Sequence, residues 1–375
     1  PRALYLHVPF CPQVCPYCDF HKMRRDAGLV SAYVARVQAE AAAAAARWPG
    51  PLRTVYLGGG TPSHLTDPEL DAVLAAVASG WGGLGRDETT LEADPGTFDA
   101  ARAARWRAAG VTRLSIGTQS TQDAVLRFLG RSHTGREGLA AIATGLAAAL
   151  DVSADVIAAV PGQDLVADLH AIATSGAHHV SVYTLTIEQH TPFALRGVRV
   201  DDDRAADDFD LADDVLSAYG FERYEVSNHA RPGHRSRHNP VYWRGEACLA
   251  LGPGAAGLEP PGPDDPHGTV AVRVQNPTIK GWLRGEPPER TPLDGLAFAL
   301  ERLMTGLRTL EGVDLADLRA VTGIDVQGRF PAATAVARDH DLLRLEGERL
   351  RATPAGTRVL NAVLRRFFAE PEPDG

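Results

Sequence analysis

A chain of 375 residues, 44% hydrophobic and 23% charged, has the composition of a globular protein with one large core and room for a smaller domain, which excludes a disordered class. Its formal charge of -9 excludes a general nucleic-acid binder, because neutralising phosphates needs a basic surface, and leaves small anionic ligands open. Four cysteines, three of them clustered, suit a reducing compartment better than a disulfide framework, so a cytoplasmic location is expected. The opening residues Pro1-Arg-Ala-Leu-Tyr5 begin directly with strand-like sequence, and no apolar run follows that is long enough for a signal peptide or a membrane span. Peripheral membrane contact stays compatible with the composition.

From Ala3 to about Thr184, short β-like runs alternate with helix-like ones, the pattern of a parallel sheet with crossover helices. Strands are expected at Ala3–Val8, Thr54–Leu57, Thr89–Glu92, Arg113–Ile116, Ser153–Val160 and Val180–Leu185. Between them lie alanine-rich amphipathic stretches at Ser31–Trp48, Pro68–Ser79, Asp99–Ala109, Gly135–Ala149 and Leu165–Ser175, and alanine is the best helix former. Six βα units fall short of the eight that close a barrel, so the fold class is α/β with a partial, open-sided (β/α)6 barrel over residues 1–200. In such a barrel the functional residues belong at the C-terminal strand ends.

Residues 201–290 read as an accessory region. Asp201–Tyr219 is an acidic helix with a solvated face, Phe221–Val226 a further strand, Ser227–Arg244 a histidine-rich loop and Gly252–His267 an irregular glycine- and proline-rich stretch. An interdomain connection is expected around Pro277–Pro292. Residues 291–375 form a smaller C-terminal α+β, winged-helix-like domain with a terminal strand pair at Leu342–Leu345 and Glu348–Ala352. Its arginines are scattered rather than striped, so packing against protein fits it better than binding DNA.

The stretch with the strongest chemical signal is Cys11-Pro-Gln-Val-Cys15-Pro-Tyr-Cys18, just after the first strand. Thiolates bind soft metals, and three converging sulfurs hold an iron–sulfur cluster with one iron left free. A disulfide with a spare thiol and a zinc site short of one ligand are the bland alternatives. Gly58-Gly-Gly-Thr61-Pro follows the second strand, where glycines let a backbone approach a ligand and offer unpaired N–H groups. Glu92, Gln119, Arg131 and Asp155 sit at or just beyond later strand ends, as a hydroxyl acceptor, a donor, a carboxylate clamp and a second acceptor.

The cysteine pattern, with Tyr17 before Cys18, resembles the signature of the radical S-adenosylmethionine (SAM) superfamily, whose open iron chelates SAM. Leu4-Tyr-Leu-His-Val-Pro-Phe-Cys11, Leu91-Glu-Ala-Asp-Pro-Gly96, Leu114-Ser-Ile-Gly-Thr-Gln-Ser120, Leu129-Gly-Arg131, Val160-Pro-Gly-Gln163 and Tyr183-Thr-Leu-Thr-Ile-Glu188 resemble the oxygen-independent coproporphyrinogen III oxidase group over nearly the whole chain. That resemblance implies a [4Fe-4S] cluster held by Cys11, Cys15 and Cys18, and SAM contacts from Tyr5, Tyr17, Gly60, Thr61, Glu92, Gln119, Arg131 and Asp155.

Within the group, oxidases continue the motif with another cysteine where this chain has Phe20, and carry a segment ahead of the first strand that is not seen before Pro1. His238-Asn239-Pro-Val-Tyr242-Trp243 resembles the HNxxYW element of the group's haem-chaperone branch, which implies haem contacts from His238, Asn239, Tyr242 and Trp243. Imidazole ligates haem iron, aromatic faces suit a porphyrin, and Arg231, Arg235 and Arg237 are candidates for the propionates. His229 departs from the phenylalanine usual there, and Ala256 stands where the family loop usually has histidine.

The expected function is therefore that of a chaperone that holds haem and passes it to apo-haemoproteins such as respiratory cytochromes, with a homodimer compatible. No catalytic residue is assigned. The alternatives are oxidative decarboxylation of coproporphyrinogen III and, third, a radical methyltransferase or haem-opening enzyme on the same scaffold.

Overall fold

A computed structural model describes residues 1–371; the last four residues of the expected 291–375 domain lie outside the described part. Six strands, β1 (Ala3–Val8), β2 (Thr54–Gly59), β3 (Glu88–Ala93), β4 (Arg113–Gln119), β5 (Asp151–Ala158) and β6 (His179–Thr184), lie in sequence order and pair in parallel. This is the partial barrel that the alternating pattern predicts. Strand residues alternate between its two sides. Leu4, Leu6, Val8, Val55, Leu57, Leu91, Leu114, Ile116, Val152, Ala154 and Val156 are buried in one apolar core with Val30, Tyr33, Leu70, Val73, Trp106 and Ile142 of the surrounding helices.

The residues between them are polar and point into the lumen. There the Ser115 hydroxyl donates to Asp155 at 3.0 Å, Ser153 Oγ and His179 Nδ1 lie 2.7 Å apart, and Arg113 Nε donates to Glu88 at 2.8 Å. The lumen is thus a hydrogen-bonded column.

The crossover helices Ala27–Arg47, Asp67–Trp81, Ala100–Ala108, Gly135–Ala147 and Leu165–Thr174 fall where the alanine-rich stretches place them. Their starts are fixed by side-chain caps: Asp26 accepts from Leu29 N–H, and Thr66/Glu69 and Thr134/Glu137 form capping boxes.

Residues 201–290 do not stand apart from the barrel sheet, because their strands extend it at both edges. Beyond β6 come β8 (Asn228–Ala230) and then β7 (Glu222–Arg223), both antiparallel to their neighbours. Beyond β1 come β9 (Cys248–Leu251), parallel to it, and then β10 (Ala256–Glu259), β11 (Ala271–Gln275) and β12 (Glu289–Leu293), all antiparallel. The Gly252–His267 stretch is therefore not wholly irregular. Its strand is only four residues long and carries no alternating pattern, and pairing with β11 makes it regular. The 277–292 connection likewise contains a helix, Ile279–Leu283, and most of β12.

A second apolar core gathers Ala299, Leu303, Leu315, Leu318, Phe330, Leu343, Leu350, Val363 and Phe367. Around it lie helices at Gly295–Gly306, Leu315–Thr322, Pro331–Asp339 and Leu360–Ala369 and a three-stranded sheet of Val313–Asp314, Arg349–Ala352 and Leu343–Glu346. Among the described residues no helix is long and apolar enough to cross a membrane.

Candidate cluster and SAM site

The loop after β1 turns back at once through a short parallel pairing of Phe10–Cys11 with Met23–Arg24. This holds all three motif cysteines at the C-terminal mouth of the barrel. Cys11, Cys15 and Cys18 are free thiols and line one cavity of about 500 Å³. Burial pushes the Cys11 thiol up to about 12 and raises Cys18 as well, so loading a soft metal there releases protons. Three free sulfurs facing one cavity fit the donor set of a [4Fe-4S] cluster with an open iron.

The glycine run is required by close approach. Gly59 has φ +110°, and a Cβ there would lie 2.3 Å from the His7 ring; a Cβ on Gly60 would lie 2.8 Å from Val8 O and 3.0 Å from Cys11 Sγ. One expectation needs correcting. The N–H groups of this turn are not free for an anion, since Gly59 donates to Glu92 Oε2 at 2.9 Å, Gly60 to Val8 O at 2.8 Å and Thr61 to Phe10 O at 2.9 Å.

Tyr17, Gly60, Thr61, Glu92, Gln119, Arg131 and Asp155 line the same cavity as the cysteines. Glu92 accepts from the Tyr56 hydroxyl at 2.7 Å, and burial pushes its carboxyl up to about 7 against the pull of that bond and of Gly59. Asp155 accepts from Ser115, and burial raises it to about 6. Arg131 pairs with Asp94, donates to Gly117 O at 3.2 Å and brings Nη1 to 3.5 Å from Cys15 Sγ. Gln119 ends β4 with φ +62°, a left-handed conformation unusual for a residue with a side chain, beside a register shift against β5.

Tyr5 is not among the lining residues. Its hydroxyl lies 2.9 Å from His7 Nδ1, and its ring stacks on Tyr56 at 6.0 Å. Asp94 and Tyr183, which the sequence motifs contain without an assigned role, and Tyr56 and Lys22, which they do not, also line the cavity. The signal was present for Asp94, two residues after Glu92 on the same face of the chain, and for Tyr56, which shares the inward period of β2.

The HNxxYW-like residues lie at the other end of the barrel. His238 is fully buried, with Nδ1 2.9 Å from Thr54 Oγ1 and Nε2 2.8 Å from the Tyr242 hydroxyl. Both ring nitrogens are engaged, and burial pushes the imidazole down to about 3, so it is neutral. In this conformation it has no lone pair to offer iron. Asn239–Trp243 forms a short helix closing the N-terminal end of the lumen; Asn239 N–H donates to Ser236 Oγ at 3.3 Å, and Trp243 O accepts from Arg302 at 3.1 Å.

The Arg231 guanidinium donates to Ala173 O, Ala177 O and Tyr219 O, and Arg235 pairs with Glu222 at 3.1 Å, so neither stands free for a propionate; Arg237 is exposed. His229 is buried 3.5 Å from Asp213, His234 lies 2.8 Å from Asp151, and Ala256 begins β10 opposite Gln275.

The Radical SAM superfamily model matches residues 5–172 and the HemN C-terminal domain model residues 293–359. The heme chaperone HemW of Synechocystis sp. is 35% identical, covering 99% of this chain and 93% of its own. HemW of Escherichia coli is 32% identical over 99% of each chain, and HemW of Mycobacterium tuberculosis 36% identical over 98% of this chain and 95% of its own. Among solved structures, the Escherichia coli coproporphyrinogen III oxidase HemN, described as a radical SAM enzyme, superposes with a TM-score of 0.81 over 98% of this chain and 90% of its own, at 17% identity. That likeness is one of fold.

Proposed function

The chain belongs to the family of HemW-type haem chaperones in the radical SAM superfamily, and from that premise we propose that it binds haem and transfers it to apo-haemoproteins, respiratory cytochromes among them. On this reading Cys11, Cys15 and Cys18 would hold a [4Fe-4S] cluster. Tyr17, Gly60, Thr61, Glu92, Gln119, Arg131 and Asp155 surround the SAM. When bound, the cluster supplies electrons for reductive SAM cleavage or serves as a structural anchor. The chain's own residues bind, orient and shield it. Three reduced thiols suit the cytoplasm, where the proposed transfer takes place.

The observation that carries the choice of chaperone over oxidase is the likeness to HemW relatives over nearly the whole chain, together with Phe20 where the oxidases continue the motif with another cysteine. Asp19, Glu92, Asp94, Asp155 and Glu188 line the cavity with Lys22 and Arg131, and Arg131 is already paired with Asp94. Carboxylates at this wall suit the ammonium and sulfonium of SAM. Haem itself binds outside this cavity on the present reading. Ligation through His238, as the motif implies, requires the floor to open and the Thr54 and Tyr242 bonds to break.

Soret titration of the reconstituted protein is expected to show saturable haem binding, followed by growth of the holo-spectrum when an apo-haemoprotein is added. Formation of protoporphyrinogen from coproporphyrinogen III with SAM and reductant would overturn the reading. In the same titration, His238→Ala with unchanged spectrum and affinity would remove that side chain from the haem site.

Glu92 sets a pH dependence. Ionised, it accepts hydrogen bonds from ribose hydroxyls; protonated, it loses acceptor capacity. SAM affinity is therefore expected to rise with pH through about 7, where the Glu92 carboxyl titrates. Binding isotherms across that range check it: Glu92→Gln should abolish the upper inflection and leave one near the Asp155 value of about 6.

A further inference from the structure

We propose that His238 is a positioning residue for Glu92, so that the HNxxYW-like element supports the SAM side of the barrel from below through one ring stack and one hydrogen bond. The inference rests on the reading that SAM occupies the cavity. It starts from a continuous column inside the lumen. At the bottom, Glu88 at the start of β3 accepts from Ser236 Oγ and from the N–H groups of Arg237 and His238 at 3.1 to 3.2 Å, which fixes the main chain of the plug. The His238 ring is then held from both nitrogens by Thr54 and Tyr242 and cannot rotate without breaking a buried hydrogen bond.

Above it, the Tyr56 ring lies 5.2 Å from His238 with 29° between planes, and on another side 6.0 Å from Tyr5 with 28° between planes. Tyr56 is thus gripped by two aromatic neighbours. Its hydroxyl meets Glu92 Oε1 at 2.7 Å, and Gly59 N–H takes the other carboxylate oxygen. Gly58 leaves the space this contact needs: a Cβ there would lie 2.6 Å from the Tyr56 ring and 2.7 Å from Glu92 Oε1. Removing His238 leaves the lower side of Tyr56 unsupported. The ring tilts, the hydroxyl leaves Glu92, and the carboxylate turns about its remaining bond to Gly59.

The test is equilibrium SAM binding to anaerobically reconstituted protein with iron and sulfide content measured alongside. His238→Ala and Tyr56→Phe are each expected to weaken SAM by about tenfold at unchanged iron content, the scale of one hydrogen bond to a charged group. Because His238 acts through the Tyr56 hydroxyl, the double variant should bind no more weakly than Tyr56→Phe alone, and His238→Phe, which restores a flat ring under Tyr56, should recover most of the loss. A purely structural role predicts additive losses and no recovery.

Wild-type affinity in His238→Ala, or additive losses in the double variant, would overturn the inference. Should His238→Ala fail to fold, the same decision falls to His238→Phe compared with Tyr56→Phe: SAM affinity near wild type in His238→Phe supports the inference, and a loss equal to that of Tyr56→Phe in spite of the restored ring overturns it. Wild-type protein with full iron and sulfide that binds no SAM would instead overturn the parent reading.

Discussion

Serine in place of Cys15 is expected to leave a folded chain with roughly a tenth or less of the wild-type iron and acid-labile sulfide after anaerobic reconstitution, since even partners one shell out from a metal typically matter 10–100-fold. A hydroxyl is a hard, weakly acidic donor where a soft thiolate is needed. The remaining thiol cannot substitute. Cys248 pairs with Ala3 at the start of β1, while Cys11 lies past the end of that strand, and the Cys248 thiol faces the Tyr242 hydroxyl at 3.9 Å. Arg131 Nη1 lies 3.5 Å from Cys15 Sγ. Iron and sulfide analysis together with visible absorbance reads the result. Wild-type iron in the variant, or zinc in the wild type, would remove the cluster from this loop.

Glu88→Ala is expected to destabilise the cluster-free chain by roughly 3–5 kcal/mol, the usual consequence of removing one partner of a buried ion pair. Glu88 and Arg113 are almost wholly buried and meet at 2.8 Å. With the carboxylate gone, the guanidinium keeps only the carbonyls of His234 and Arg235 and a weaker contact at 3.5 Å with Asp151. The N–H groups of Arg237 and His238 and the Ser236 hydroxyl lose their acceptor too. The effect should appear as a lower urea midpoint with the slope unchanged. A shift under about 1 kcal/mol, the scale of an exposed pair, would mean that water reaches this carboxylate.

The cluster loop and the barrel were legible in the sequence because both are written locally. Three cysteines within one loop need no distant partner to be recognised, and runs such as Leu4-Tyr-Leu-His-Val alternate apolar and polar residues as a half-lined lumen demands. What escaped depends on pairing across long separations. β9 joins β1 from more than two hundred residues away, and β10 becomes a strand by lying between β9 and β11. The HNxxYW-like element was recognisable as a motif, yet its position beneath Tyr56 follows from Thr54 and Glu88, which come earlier in the chain. Spacing cannot reveal which end of a barrel a later loop will reach. Nor could it reveal that the glycine turn donates its N–H groups inward, because those acceptors, Glu92, Val8 and Phe10, belong to other segments.

The sheet that carries the lumen never closes, so it exposes two raw borders. At one, β7 is two residues long, too brief to template another strand. At the other, β12 reads Glu289-Arg-Thr-Pro-Leu293, where proline lacks a hydrogen to give and the neighbouring charges resist being buried. Copies of the chain are thereby discouraged from stitching together border to border.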